Sequence, residues 1–345
     1  MVLKINPNQQ ALWRDPFQLQ IGVGKNALRL GKLSAAQERL IAALYRGIAD
    51  QQLPLVSKQL GLSTPEVDSL LSQVGGLLEL EPPQLNSKIR LNDDFVASAF
   101  AEIIRASLLH AVDGEAVLIG RADRTIHIDE LSSSGLGIAL ALAAAGIGKI
   151  FTSDDKPVVN SNLGATGYPT QFLGHPRIDA LRSLLAASPN QMQTNSSVNL
   201  PEKSFSKIDC AILIGQQVIE PRRYEAWLRR GTPHLAITFD AESVSVSPLI
   251  VPGATACLMC LEKMRTETDP QWPVLASQMI TSNKKFDDAA GKLFAAGLAV
   301  QKILAHADRI AGFTPHEQAV GYRLELANGK VSELAWPKNS TCDCR

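Results

Sequence analysis

Apolar and polar residues alternate along Phe17-Gln-Leu-Gln-Ile-Gly-Val23 and resume along Ala27-Leu-Arg-Leu30, with Gly24-Lys-Asn26 between them. A period of two broken by a glycine-containing turn predicts a β-hairpin. The period then lengthens to that of a helix. Ser34 is placed to cap a helix over 35–45, with Glu38 in its early turn. Residues 53–60 form a second short helix closed by Gly61, and Ser63 or Thr64 caps a third. Pro65 sits at the start of that third helix, which runs to about Val74, where Gly75-Gly76 stop it. Two short helices joined by a Leu-Gly-Leu-Ser turn, beside a hairpin, describe a winged-helix-like α+β domain over 1–85. Glu81-Pro82-Pro83 and the polar stretch to Asp94 mark a linker, set at 86–95.

Over 96–345 the pattern changes to short apolar runs alternating with helical segments. Residues 124–128 read as a strand, Glu130 to Gly135 as a loop, and about 136–145 as a helix ended by Gly146-Ile-Gly148. Residues 149–153 form the next strand, and Asp154 stands at its end. Further strands at 210–214 and 234–238 flank a helix containing Arg222, Arg223 and Trp227. Strand-helix-strand repeats predict a doubly wound, mostly parallel, Rossmann-like α/β sheet. A long Ala-rich helix is expected from Asp288 to about His306, and a hairpin over 321–326 and 330–335 around Ala327-Asn-Gly329. Glu220-Pro-Arg-Arg223 reads as a helix start with a solvated basic turn, and Trp272-Pro273 as a surface crossover loop.

Composition narrows the classes. Apolar residues make up 45% and charged residues 20%, and the formal net charge is zero. That is ordinary for a soluble protein, with no global field to draw in nucleic acid or a membrane surface. The first residues lack a basic-then-apolar signal pattern, and the run from Ile138 to Gly146 is too short to span a bilayer. A cytoplasmic location is expected. A winged helix invites a DNA-binding regulator as one alternative. Residues 1–81, however, carry about eight Lys/Arg against about seven Asp/Glu, and the third helix bears Glu66 and Asp68 without a base. A phosphate-binding face wants a basic cluster, so the expected partner is a peptide or protein.

The strand, loop, helix, strand, acid order is the frame of a dinucleotide-binding unit, with Asp154 about 24 residues after the loop begins. In a G-x-G-x-x-G register the positions are Glu130, Ser132 and Gly135, so only the last glycine remains. Ser132, Gly135 and Asp154 are the candidate nucleotide contacts of a degenerate loop, and Glu130 would set a carboxylate against a polyphosphate. Ser132-Ser-Ser134 is placed to cap the following helix. His127 and His234 fall in strands as core or sheet-face histidines, and His175 lies in a turn beside Arg177. Four of the five cysteines form two tight pairs, Cys257-Leu-Met-Cys260 and Cys342-Asp-Cys344, about eighty residues apart. Four thiolates in two clusters suit a closed structural zinc site. Cys210, in an apolar strand, is expected to be inert.

The chain resembles the ThiF/MoeB superfamily of ubiquitin-activating-type adenylyltransferases over roughly 95–345. The likeness rests on Leu142-Ala-Ala-Ala-Gly-Ile-Gly148, Asp154, Ser161-Asn-Leu163, Gly174-His-Pro-Arg177, Pro252-Gly-Ala-Thr-Ala-Cys-Leu-Met-Cys260 and the closing cysteine pair. The front domain looks like the peptide clamp of ThiF-like proteins in ribosomal-peptide modification, which hold a leader peptide while a partner enzyme uses ATP. The resemblance implies adenylation of a terminal carboxylate with Mg-ATP, and a two-fold homodimer. Against that pattern the ribose acid is kept as Asp154, but the second acid is Lys156. The expected arginine falls on Ala165, and the expected lysine is Arg177. The magnesium acid falls on Gln216 or Gln217, and Arg222 matches the arginine after it. Arg177 and Arg222 are the catalytic candidates if the site is active. The expectation is a silent relative that presents a peptide or small protein to a separate modifying enzyme, the alternative an active adenylyltransferase.

Overall fold

The computed structural model describes residues 2–24, 27–189, 192–198, 202–313, 320–334 and 336–344. Lys25 and Asn26 of the first expected turn, and Ala335 at the end of the last expected strand, lie outside the described residues. By contacts the chain forms two compact units, one of Met1–Leu85 with Ala99–Leu118, the other of Asn86–Ser98 with Ile119–Arg345.

In the first unit, β1 (Val2–Leu3) pairs with β5 (Ile48–Ala49), while β2 (Ala11–Asp15), β3 (Gln18–Ile21) and β4 (Leu28–Gly31) form an antiparallel sheet in that order. The expected hairpin is β3–β4; β2 had no clear alternation to announce it. Helix α1 (Ala35–Arg46) starts at Ser34, and the reciprocal capping partner is Gln37, one residue before the expected acid. Helix α2 (Leu53–Leu60) stops at Gly61, whose φ of 75° is a left-handed cap open to glycine. Helix α3 (Thr64–Val74) is held at Ser63 by Glu66. Leu19, Ile21, Leu30, Leu40, Leu44 and Leu70 close this unit's core.

The helices α4 (Asp93–Ser98), α5 (Phe100–His110) and α6 (Gly114–Ala122) lead into β6 (Thr125–Ile128), α7 (Ser133–Ala144) and β7 (Lys149–Thr152). Next come α8 (Arg177–Ala186), β8 (Gln193–Ser196), α9 (Glu202–Phe205), β9 (Cys210–Gln216), α10 (Pro221–Arg229) and β10 (His234–Phe239). The chain continues through β11 (Ser243–Val246), α11 (Leu258–Thr268), α12 (Trp272–Thr281), α13 (Ala289–Ile310), β12 (Gly321–Glu325) and β13 (Val331–Leu334).

One sheet runs β13-β12-β11-β10-β9-β6-β7-β8. Strands β10 to β8 in that order are parallel, and β11, β12 and β13 are antiparallel. Alternation sorts its two faces. Ile126, Ile128, Ile212, Ile214, Leu235 and Ile237 pack on the α7 and α13 side, while Ala211, Leu213 and Ala236 pack under α10 and α11. Because both faces are covered, the central strands read as unbroken apolar runs. Arg121 and Asp308, both fully buried, pair at 2.7 Å between α6 and α13.

Two expectations are corrected. Helix α7 begins at Ser133, not near Leu136, so Gly135 lies in its first turn. A Cβ there would sit 1.8 Å from the carbonyl oxygen of Glu130, which is why glycine stands at 135. Trp272-Pro273 opens helix α12, with the proline in the first turn where no amide is needed.

Candidate functional site

The parallel strands end on one edge of the sheet, and the winding direction reverses between β6 and β9, where α/β sheets open a crevice. A cavity of about 500 Å³ opens there. It is lined by Asp129 and Glu130 after β6, residues 153–156 after β7, Ser197 after β8, and α10.

Helix α10 and Arg230 at its C-cap set Arg223, Trp227 and Arg230 along one face at helical spacing. Arg223 donates to Asp129 from Nε at 3.0 Å and to the carbonyl of Ile214 at 2.6 Å. The expected solvated turn is therefore half wrong. Arg222 is the exposed residue, 81% open at its side chain and paired with Glu220, whereas Arg223 is drawn in by a buried carboxylate. Burial pushes the Asp129 carboxyl up to about 6, against the lowering charge of Arg223. Arg230 lies over Phe205 (4.0 Å) and Trp227 (5.3 Å). His127 is buried against Trp227, with ring centroids 4.7 Å apart, and its Nε2 is 3.1 Å from Ser197 Oγ. Its Nδ1 has no partner among the described residues. Burial, aided by the Arg230 charge, lowers His127 to about 3, so the ring is neutral.

Asp154 is buried and fully engaged. It accepts from the amides of Leu131 (2.7 Å) and Lys156 (3.0 Å) and from Arg177 Nη1 (2.9 Å). Arg177 also reaches Asn162 Oδ1 at 3.0 Å and the carbonyl of Pro157 at 3.2 Å. Tyr168 donates to the carbonyl of Leu131 at 2.8 Å. The loop backbone at Leu131 is thus held at both its polar groups. Ser132 stands at the cap position of α7, but its side chain makes no cap hydrogen bond. Instead Ser134 Oγ donates to Asp287 at 3.0 Å, and Lys292 donates to Ser133 Oγ at 3.2 Å. Gln216, at the end of β9, bonds Asp287 (3.3 Å) and the amide of Phe286 (2.8 Å), while Gln217 takes a left-handed φ of 64°.

The fold thus brings Ser132, Gly135, Asp154 and Arg177 to one end of the sheet and leaves Arg222 on the surface. Asp129, Arg223, Trp227 and Asp287 are the neighbours that sequence reasoning did not assign. The i, i+4 spacing of Arg223 and Trp227 on a helix next to an apolar strand was the available signal for those two; nothing local marked Asp287. His175 is exposed, edge-on to Phe172. Cys210 is fully buried, and burial drives its thiol far up, the environment of an unreactive cysteine.

On the face covered by α10 and α11, the segment after β13 returns to α11 and brings Cys342 and Cys344 to Cys257 and Cys260. The four sulfurs lie within 4.8 Å of one another, with pairs at 3.5, 3.7 and 3.9 Å. A tetrahedral tetrathiolate with metal–sulfur bonds of ~2.3 Å needs sulfurs ~3.8 Å apart, so the set fits a metal ion. Trp336 Nε1 donates to the carbonyl of Cys257 at 3.1 Å, and its ring packs against the apolar cluster around the cysteines.

Comparison with known proteins gives the fold. No protein-family model matches the chain, and no curated protein matches it in sequence. Solved structures do. E. coli MccB with succinimide superposes at a TM-score of 0.70 and 12% identity, over 100% of this chain and 99% of that one. E. coli MccB with AMPCPP and MccA gives 0.71 at 12% identity, over 100% and 99%. PaaA gives 0.67 at 17% identity, over 96% of this chain and 99% of its own. The chain therefore shares the fold of E. coli MccB and PaaA along its length. Among the described residues no helix is long and apolar enough to cross a membrane.

Proposed function

We propose that this protein binds a peptide or small protein and presents it to a separate ATP-using modifying enzyme, its own nucleotide site no longer adenylating. One observation carries the reading. The backbone and helix start that would meet phosphates are occupied by the chain's own carboxylates: Asp154 takes the Leu131 amide, and Asp287 takes Ser134 in the first turn of α7. A helix N-terminus is an anion site, and a carboxylate already in place repels a second anion. At the end of β9, where the resemblance expects a magnesium acid, Gln216 is spent on the Phe286 amide and Asp287. Losing one preorganised charge donor costs about 10²–10³-fold in rate.

A peptide ligand is supported by the fold neighbour, since E. coli MccB has been solved with MccA. It is also supported by β2, an edge strand exposed along its length, with Trp13 on it and Phe17 beyond, both more than half open. Open edges accept extended chains. The metal of the clasp is zinc in this reading, structural because all four positions are thiolates. A two-fold homodimer through the α/β unit belongs to the same reading, and nucleic acid does not.

The second reading is an active adenylyltransferase. It draws on Asp287 and Lys292, which put a carboxylate and an ammonium beside Ser133 and Ser134. Purified protein with Mg-ATP decides between them. Silent protein shows no pyrophosphate exchange and no calorimetric ATP binding. Robust exchange that Asp287→Asn abolishes would overturn the proposal.

A further inference from the structure

A second cavity, of about 340 Å³, lies on the opposite face of the sheet from α13, between the antiparallel strands and α11. Its floor is polar, which is unusual for a sheet face under a helix. Strand register places Thr238, Ser245, Arg323 and Ser332 side by side on β10, β11, β12 and β13. All four line the cavity. Arg323 is half-buried, with no ion pair among the described residues. Tyr224 lines the same space from α10, and its buried hydroxyl has no hydrogen-bond partner among the described residues. A phenol keeps its proton at neutral pH, so this hydroxyl has a hydrogen to donate.

An orphaned buried hydroxyl costs stability unless something outside the chain completes it, and a half-buried guanidinium that makes no ion pair keeps its donors for water or a guest. The cavity's acids do not do so. Asp240 is satisfied by Ser243, and Glu262 by Arg265 (3.0 Å) and Trp272 (2.5 Å). Glu333 sits exposed at the rim. We propose that this cavity binds a carboxylate side chain of an extended peptide, with Arg323 as the charge partner and Tyr224 as the second donor. The proposal rests on the peptide-binding reading above and names what the peptide must carry.

The physical reasons are specific. A guanidinium presents a planar fork that matches a carboxylate. The three nearby carboxylates favour a singly charged guest over a phosphate dianion. The volume admits a side chain and a short stretch of backbone, not a folded domain. Trp336, on the wall, offers an apolar surface to the methylenes of that side chain.

The test uses the full chain and two pools of N-acetylated, C-amidated, fluorescein-labelled pentapeptides, randomised except for Asp or Asn at the centre. Glutarate is titrated separately by tryptophan fluorescence, with Trp336→Phe to assign the signal. The expected result is that the Asp pool binds at least about tenfold tighter than the Asn pool. Arg323→Gln erases that preference, and Tyr224→Phe weakens Asp-pool binding several-fold. Tyr224→Phe removes an unsatisfied buried group, so it leaves the fold at least as stable and separates lost binding from lost structure. Equal binding of the two pools would overturn the carboxylate site while leaving peptide binding in place. Binding of glutarate through Arg323 with neither pool bound would overturn the peptide source. No binding of either probe would overturn the proposal outright.

Discussion

Removing the Asp154 carboxylate tests whether this residue is first a structural anchor. In Asp154→Ala the guanidinium of Arg177 loses its counter-charge in a site where the two side chains are 8% and 2% exposed. Breaking a buried pair on one side costs about 3–5 kcal/mol. The amide of Leu131, itself wholly buried, loses its acceptor as well, a further cost of about 1–3 kcal/mol if nothing replaces it. The two overlap, because both reflect one carboxylate, so a total near 4 kcal/mol is expected. Arg177 keeps Asn162 and Pro157 as acceptors, which sets the lower end. The assay is urea unfolding at pH 7, followed by circular dichroism and by tryptophan fluorescence. A cycle with Arg177→Met and the double variant isolates the pair, and the double variant should be less damaged than the sum of the singles. A loss below about 1 kcal/mol for Asp154→Ala, with no coupling to Arg177, would refute the anchor and return Asp154 to the role of a free ribose acid.

Two further outcomes follow from other parts of the molecule. Replacing Cys257, Cys260, Cys342 and Cys344 by serine should remove bound metal, read by atomic absorption, and lower Tm, with protease sensitivity rising first in the segment after β13; unchanged Tm and metal content would dismiss the clasp. Asp129 has its folded pKa raised to about 6 by burial, above the ordinary 3.8, so its contribution is fully present below about pH 4 and is lost as pH rises through about 6. His127, His234 and His306 are lowered by burial to about 3, 4 and 4, so they act the other way, losing stability as pH falls below about 6.5. Asp129→Asn removes only the first effect. The difference between its stability and that of the wild type should therefore grow in the variant's favour between pH 4 and 6; a flat difference would show that Asp129 titrates normally.

The sequence by itself determined the elements whose signals are local. Gly61 ends α2 because a left-handed cap suits glycine. Ser63 and Glu66 start α3 because they bond across one turn. Apolar runs with both faces buried had to be central parallel strands, and two thiol pairs were enough to place the clasp. Tertiary structure alone decided which polar groups meet. Arg222 and Arg223 are adjacent and chemically identical; only the packing of α10 on the sheet sends one to Asp129 and the other to water. Asp287 reaches Ser134 across 153 residues, and Arg323 joins Ser245 and Ser332 through strand register. Helix α12 escaped notice because a proline at a helix start looks, in sequence, like a loop. Periodicity and capping act over a few residues, so a chain displays them in order. Charge pairing and cavity lining act between segments far apart in sequence, so they exist only once the fold has brought those segments together.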